Sequence, residues 1–165
     1  YARPVQEVGL MARWGRVDYS QLRAFAQAID KLSSSEMDKL CIDCSKALAA
    51  RLLALVIPKT PVGKYPKGSG KKVGTLRRCW GAKSGGAATS YAQSLHVQRS
   101  GNVYTVEIVN PVDYASYVEF GHRTVNGGWV EGRYMLTISE EKLKSVAPSV
   151  LESMVLKKLR EVCDV

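Results

Sequence analysis

A chain of 165 residues with 45% hydrophobic content is the size of one globular domain with a real core. It contains no apolar run near the ~18 uncharged residues that a helical membrane span requires, and no charged segment leading into an apolar stretch opens it, so neither a membrane span nor a secretory signal is read. The net charge of +9 excludes an acidic solvating chain and points to polyanionic or acidic partners.

Residues 1–17 are read as an N-terminal arm or an upstream extension, with Met11 as a possible biological start, and 18–165 as a single domain. Asp18 followed by Gln21 reads as a capping box, and Leu22, Phe25, Ala26 and Ile29 recur at helical spacing, which predicts a helix over Tyr19–Leu32. Ser33 and Glu36 form a second capping box. The stripe Met37, Leu40, Cys41, Cys44, Leu48, Leu52 and Leu55 then predicts a long helix that ends before Pro58, because the residue preceding a proline is pushed out of the helical region.

Residues 58–74 hold three prolines and five lysines without periodicity, and read as an exposed, mobile basic loop. Thr75–Trp80 reads as a short helical or strand lead-in. Tyr91–Gln98 and Val103–Val109 read as two strands joined by Ser100-Gly101-Asn102, whose residues suit a tight turn. A short helix is predicted over Tyr114–Phe120, a turn or second small hairpin over Val125–Trp129, and an extended segment over Tyr134–Ile138. From Ser139 a C-terminal helix runs to about Cys163, with Pro148 expected to kink or split it. The sum is an α+β fold: two N-terminal helices, a small antiparallel sheet and a C-terminal helix in two layers, with a long basic loop.

The positive charge is concentrated. From Cys44 to Val106 there is no Asp or Glu, whereas Lys46, Arg51, Lys59, Lys64, Lys67, Lys71, Lys72, Arg77, Arg78, Lys83 and Arg99 lie there; the remaining 13 basic and 15 acidic residues leave the rest of the chain slightly negative. Lys59, Lys64, Lys67, Lys71, Lys72, Arg77 and Arg78 are the candidates to face DNA or a partner. A glycine-rich loop of lysines offers point charges to phosphates without reading bases. A docking arm for acidic protein surfaces, or a merely solvated loop, uses the same residues.

The four cysteines lack the spacing of a disulfide scaffold, which suits a reduced, cytoplasmic setting. Cys41-Ile-Asp-Cys44 has no second ligand pair for zinc and sits within a helix, so it reads as core packing. Glu119 and His122 could share a face only in a helix, and Gly121 argues against one there. No nucleophile, phosphate loop or metal cluster accompanies them, so no catalytic residue, metal or cofactor is assigned. Their expected work is to turn the chain, with Glu119 or His122 pairing to Arg123 or Arg133.

Tyr114, Tyr117, Phe120, Trp129 and Tyr134, interleaved with Glu119, His122, Arg123, Glu131 and Arg133, crowd aromatic and mixed-charge residues into one short stretch. Tyr, Trp and Arg are enriched at binding hot spots, so Tyr114, Tyr117, Glu119, Phe120, His122, Arg123, Trp129, Arg133 and Tyr134 form a candidate subunit interface, with an ordinary core cluster as the other reading.

The order Thr60-Pro61-Val62-Gly63, then Gly74-Thr75-Leu76-Arg77-Arg78 with Trp80, then Tyr114-Ala-Ser-Tyr117-Val-Glu119-Phe120-Gly121-His122-Arg123 and Gly132-Arg133-Tyr134-Met135 resembles the neck and tail-completion (tail-component) proteins of long-tailed double-stranded DNA phages. The resemblance runs from about Asp18 to the C-terminus and departs in the basic insertion after Gly63. It implies a virion structural protein rather than an enzyme, located at the head–tail junction and assembled in the bacterial host cytoplasm. Its partners would be copies of itself in a ring, by analogy six-fold, the neighbouring head–tail connector and tail tube or tail terminator proteins, and double-stranded DNA crossing the channel without sequence specificity. The composition leaves two rivals: a free-standing nonspecific nucleic-acid-binding protein, and a collar protein of a DNA-free phage-tail-like particle.

Overall fold

The computed structural model describes residues 34–64, 72–81 and 88–163, with single positions 26, 27, 30, 68 and 70. Ala26, Gln27 and Asp30 are helical; the rest of the expected Tyr19–Leu32 helix, the 1–17 arm, and Lys67 and Lys71 lie outside the described residues.

The elements are α1 (Ser34–Lys59), α2 (Thr75–Arg78), α3 (Ala88–Ser94), β1 (Val97–Ser100), β2 (Val103–Val106), α4 (Ala115–Phe120), β3 (Gly121–Arg123), β4 (Trp129–Glu131) and α5 (Met135–Cys163). The α+β architecture is as expected, but its strands form two separate antiparallel hairpins rather than one sheet: β1–β2, in register from Val97↔Val106 to Ser100↔Val103, and β3–β4, from Gly121↔Glu131 to Arg123↔Trp129. The long helix α1 packs against α5, α3 and the first hairpin.

The core is Ala49, Leu53, Val56 and Ile57 from α1, Leu76 and Trp80 from and beside α2, Ala88 and Ala92 from α3, and Met135 at the start of α5. The face of α1 turned inward is therefore not the stripe expected from sequence: Met37 is exposed and Leu40, Cys41, Cys44, Leu48, Leu52 and Leu55 are half-buried. Between Ala47 and Ile57 the helix is apolar on nearly every side, so periodicity alone cannot select the buried face.

Four boundaries differ from expectation, each for a physical reason. Helix α1 continues through Pro58 to Lys59, because its terminal carbonyls find donors: Val56 accepts from the Thr60 amide at 3.0 Å and hydroxyl at 2.8 Å, and Pro58 from Arg77. The first expected strand is helix α3 up to Ser94 and strand only from Val97, since Ala88 and Ala92, one helical turn apart, are the residues buried there. Strand β2 stops at Val106 instead of Val109 because β1 offers no residue beyond Val97. Helix α5 begins at Met135, inside the segment expected to be extended, and continues unbroken past Pro148. Pro148 and Lys144, whose carbonyl loses its usual amide, are both exposed, so water can replace that bond.

Candidate assembly interface

The series of short motifs resolves into two structural fastenings and one exposed surface. The first fastening joins the end of α1 to α2. Thr60 is fully buried; its hydroxyl donates to Val56 O and accepts from Trp80 Nε1 at 2.7 Å, while its carbonyl accepts from Arg77 Nε at 2.9 Å and Nη2 at 2.5 Å. Asn110 then ties the chain after β2 to this unit through Nδ2 to Leu76 O at 2.9 Å.

The second fastening is the base of the β3–β4 arm. Gly121 ends α4 at φ 85°, a left-handed conformation suited to glycine, and an added Cβ would lie 2.5 Å from Val130 O. At Gly132 a Cβ would meet Glu119 O at 2.3 Å, so the two ends of the arm can cross α4 only as glycines. Where they cross, the amides of Arg133 and Tyr134 donate to the carbonyls of Val118 and Glu119, closing the C-terminal end of α4. The arm's turn is held by Thr124, whose amide bonds Gly128 O and whose hydroxyl accepts from Gly128 N.

Glu119 is the centre of this base. It is 5% exposed, and its carboxylate accepts from the amides of Leu136 and Thr137 at 2.9 Å each and from the Thr137 hydroxyl at 2.8 Å. A buried carboxylate thus caps the first turn of α5, where free amides and the helix dipole favour negative charge. The expected pairing of Glu119 or His122 with Arg123 or Arg133 is corrected: among the described residues the ion pairs are Arg99–Asp38, Lys158–Glu36 and Lys158–Glu161. His122 instead sets its ring 5.7 Å from that of Tyr117, and its buried Nδ1 has no hydrogen-bond partner among the described residues. No local signal could have revealed the Glu119 cap, because its partners lie 17 and 18 residues away.

Around these fastenings the candidate residues divide by direction. Tyr114, Tyr117, His122 and Arg133 line a cleft of about 420 Å³ opposite Pro61, Val62 and Lys72, so the aromatic segment and the basic loop meet there. Phe120, 60% exposed, borders a second hollow on the other side of α4, near Trp80 and Met135. Arg123 and Trp129 are cross-strand partners on the arm, both exposed. Tyr134 is exposed at φ 47°. Glu119 is turned inward and His122 is half-buried, so the surface offered outward consists of the other candidates.

Among the basic residues, Lys64 and Lys72 are exposed. Lys59 Nζ reaches Leu55 O at 3.3 Å and Arg78 Nη1 reaches Val73 O at 2.5 Å, both at the surface. Arg77 is held against the end of α1 by the bonds already described. Cys41, Cys44 and Cys79 are half-buried free thiols; burial, then the neighbouring Cys41 and Asp43, pushes the Cys44 thiol up from its ordinary value. Among the described residues no group of His, Cys, Asp and Glu is arranged to hold a metal ion, and no helix is long and apolar enough to cross a membrane.

The α+β body carries a glycine-based arm and an exposed aromatic, mixed-charge surface of the composition enriched at protein interfaces. The model of the family described as "Bacteriophage HK97-gp10, putative tail-component" matches residues 23–121. That match spans more than half of the chain, which belongs to this family. The protein is accordingly a structural component of a phage tail, its place is the virion, and its contacts are with other virion proteins. No curated protein and no solved structure gave a match.

Proposed function

We propose that the protein is a ring-forming subunit of the phage neck, at the head–tail junction, holding its neighbours through the α4 and β3–β4 surface. The observation that carries this reading is that Tyr117, Phe120 and Trp129, each 58–60% exposed, project from a backbone fixed at its base by Gly121, Gly132 and the Glu119 cap. Large aromatics presented on a rigid support lose little entropy on docking. The work is assembly, and no reaction is assigned.

Six copies would match a tail tube, with the connector above and the tail tube or terminator below; this number rests on family resemblance. Lys64 and Lys72, with Lys67 and Lys71, would face the channel and touch DNA phosphates weakly enough for the genome to slide. The stretch of chain without carboxylates also supports a second reading, a monomer that binds nucleic acid by itself. Light scattering at low and moderate salt, with electron micrographs of the same fractions, separates the two. Rings, unchanged when Lys64, Lys67, Lys71 and Lys72 are replaced by Ser, are expected. A monomer that binds duplex DNA tightly, and loses that affinity in the Ser variant, would overturn the ring reading.

A further inference from the structure

The β1–β2 ladder ends at Val97↔Val106, but the next residues retain strand-like alternation: Glu107 and Val109 are exposed and Ile108 is half-buried. Among the described residues, the backbone of Ile108 and Val109 makes no hydrogen bond, leaving a short open edge beyond the ladder. Beside it lies a groove of about 720 Å³ with Leu95, Val106, Ile108 and Leu136 on its floor and Glu107 and Glu140 on its rim. Neither carboxylate enters an ion pair with a described residue.

The β3–β4 arm carries the complementary set. His122 and Val130 line the 420 Å³ cleft, whereas their ladder neighbours Arg123 and Trp129, opposite one another in register, are absent from its lining. Cross-strand partners share one face of a hairpin, so a guanidinium stands beside an indole on the outward side. Trp129 is 58% exposed and Arg123 has no ion pair with a described residue.

We propose that the groove between the β2 extension and α5 is the seat for the β3–β4 arm of a second copy of this chain. Trp129 of the arm covers the apolar floor, Arg123 meets Glu107 and Glu140, and an arm strand pairs along the open edge at 108–109. Apolar surface, opposite charge and open backbone edge each find their match in one contact. Arm and groove are different surfaces of the same chain, so each docked copy keeps one of each free, and repetition closes a ring or extends a filament. The inference rests on the self-assembly reading and names its contact.

The test places a benzophenone photo-crosslinking amino acid at the exposed position 129 of the full chain and illuminates it with an equal amount of isotopically heavy protein. Heavy–light adducts mapping to Val106–Val109 or Leu136–Glu140 are expected. Reversing the rim with Glu107→Arg and Glu140→Arg should lower their yield at least about tenfold, since like charges face each other across the seat, and adding Arg123→Glu should restore it. Adducts confined to other segments, or none between copies, would overturn the seat. Micrographs of the same samples keep the two claims apart: rings with adducts elsewhere overturn this contact and leave self-assembly standing.

Discussion

Replacing Glu119 by Ala should cost the fold about 3 kcal/mol. The carboxylate takes two amide bonds and one hydroxyl bond; hydrogen bonds to a charged group contribute ~1.5–3 kcal/mol each, but they share one carboxylate, and loss of a helix cap alone costs about 1–2 kcal/mol. Truncation leaves the Leu136 and Thr137 amides at a 5%-exposed site with a void in place of their acceptor. For a domain of this size 1 kcal/mol shifts Tm by about 2–4 °C, so calorimetry should show a fall on the order of 6–12 °C. Glu119→Gln keeps one acceptor oxygen but turns an NH2 toward a backbone amide, and should cost about half as much. Arg133→Ala, exposed and without an ion pair to a described residue, should lie within about 0.5 kcal/mol of wild type. If Glu119→Ala were as stable as wild type, or Arg133→Ala equally damaging, the cap would not be what holds this junction.

The remaining expectations follow from the same geometry. Gly132→Ala forces a Cβ to 2.3 Å from Glu119 O and should destabilise by about 1–3 kcal/mol in urea unfolding, whereas Gly127→Ala at the open arm tip has no such clash and should cost less. Thr60→Val removes the hydroxyl that accepts from Trp80 Nε1 in a fully buried site, and should cost about 1–3 kcal/mol with a changed tryptophan emission. The raised Cys44 thiol should alkylate more slowly at pH 7.5 than a free peptide thiol, with a rate that climbs as pH rises; rapid alkylation at neutral pH would contradict its burial among Cys41 and Asp43.

What could be read from the chain alone was what local chemistry decides. The turn at Gly101–Asn102, the short helix ending at Gly121, the second hairpin and the two long helices all carry their signals within a few residues. What escaped was decided at a distance. The start of α5 depends on a glutamate 17 residues upstream, and the end of α1 on an arginine 17 residues beyond Thr60. Helix α3 was hidden because Tyr91, Leu95 and Val97 alternate like a strand while the small Ala88 and Ala92, which carry the helical period, register weakly as apolar. The crowding of aromatics and charges pointed to the right segment for a surface. It could not tell that Glu119 faces inward, because its partners are the amides of a distant helix, nor that Arg123 with Trp129 faces outward, because a one-residue step along a strand reverses direction.

A density map of the assembled particle is the most direct measurement of the central claim. This chain should appear as a ring between the portal side and the tail tube, with the α4 and β3–β4 surface at every subunit junction and the basic loop toward the axis. Subunits found elsewhere in the particle, or joined through surfaces that leave Tyr117, Phe120 and Trp129 in solvent, would contradict it.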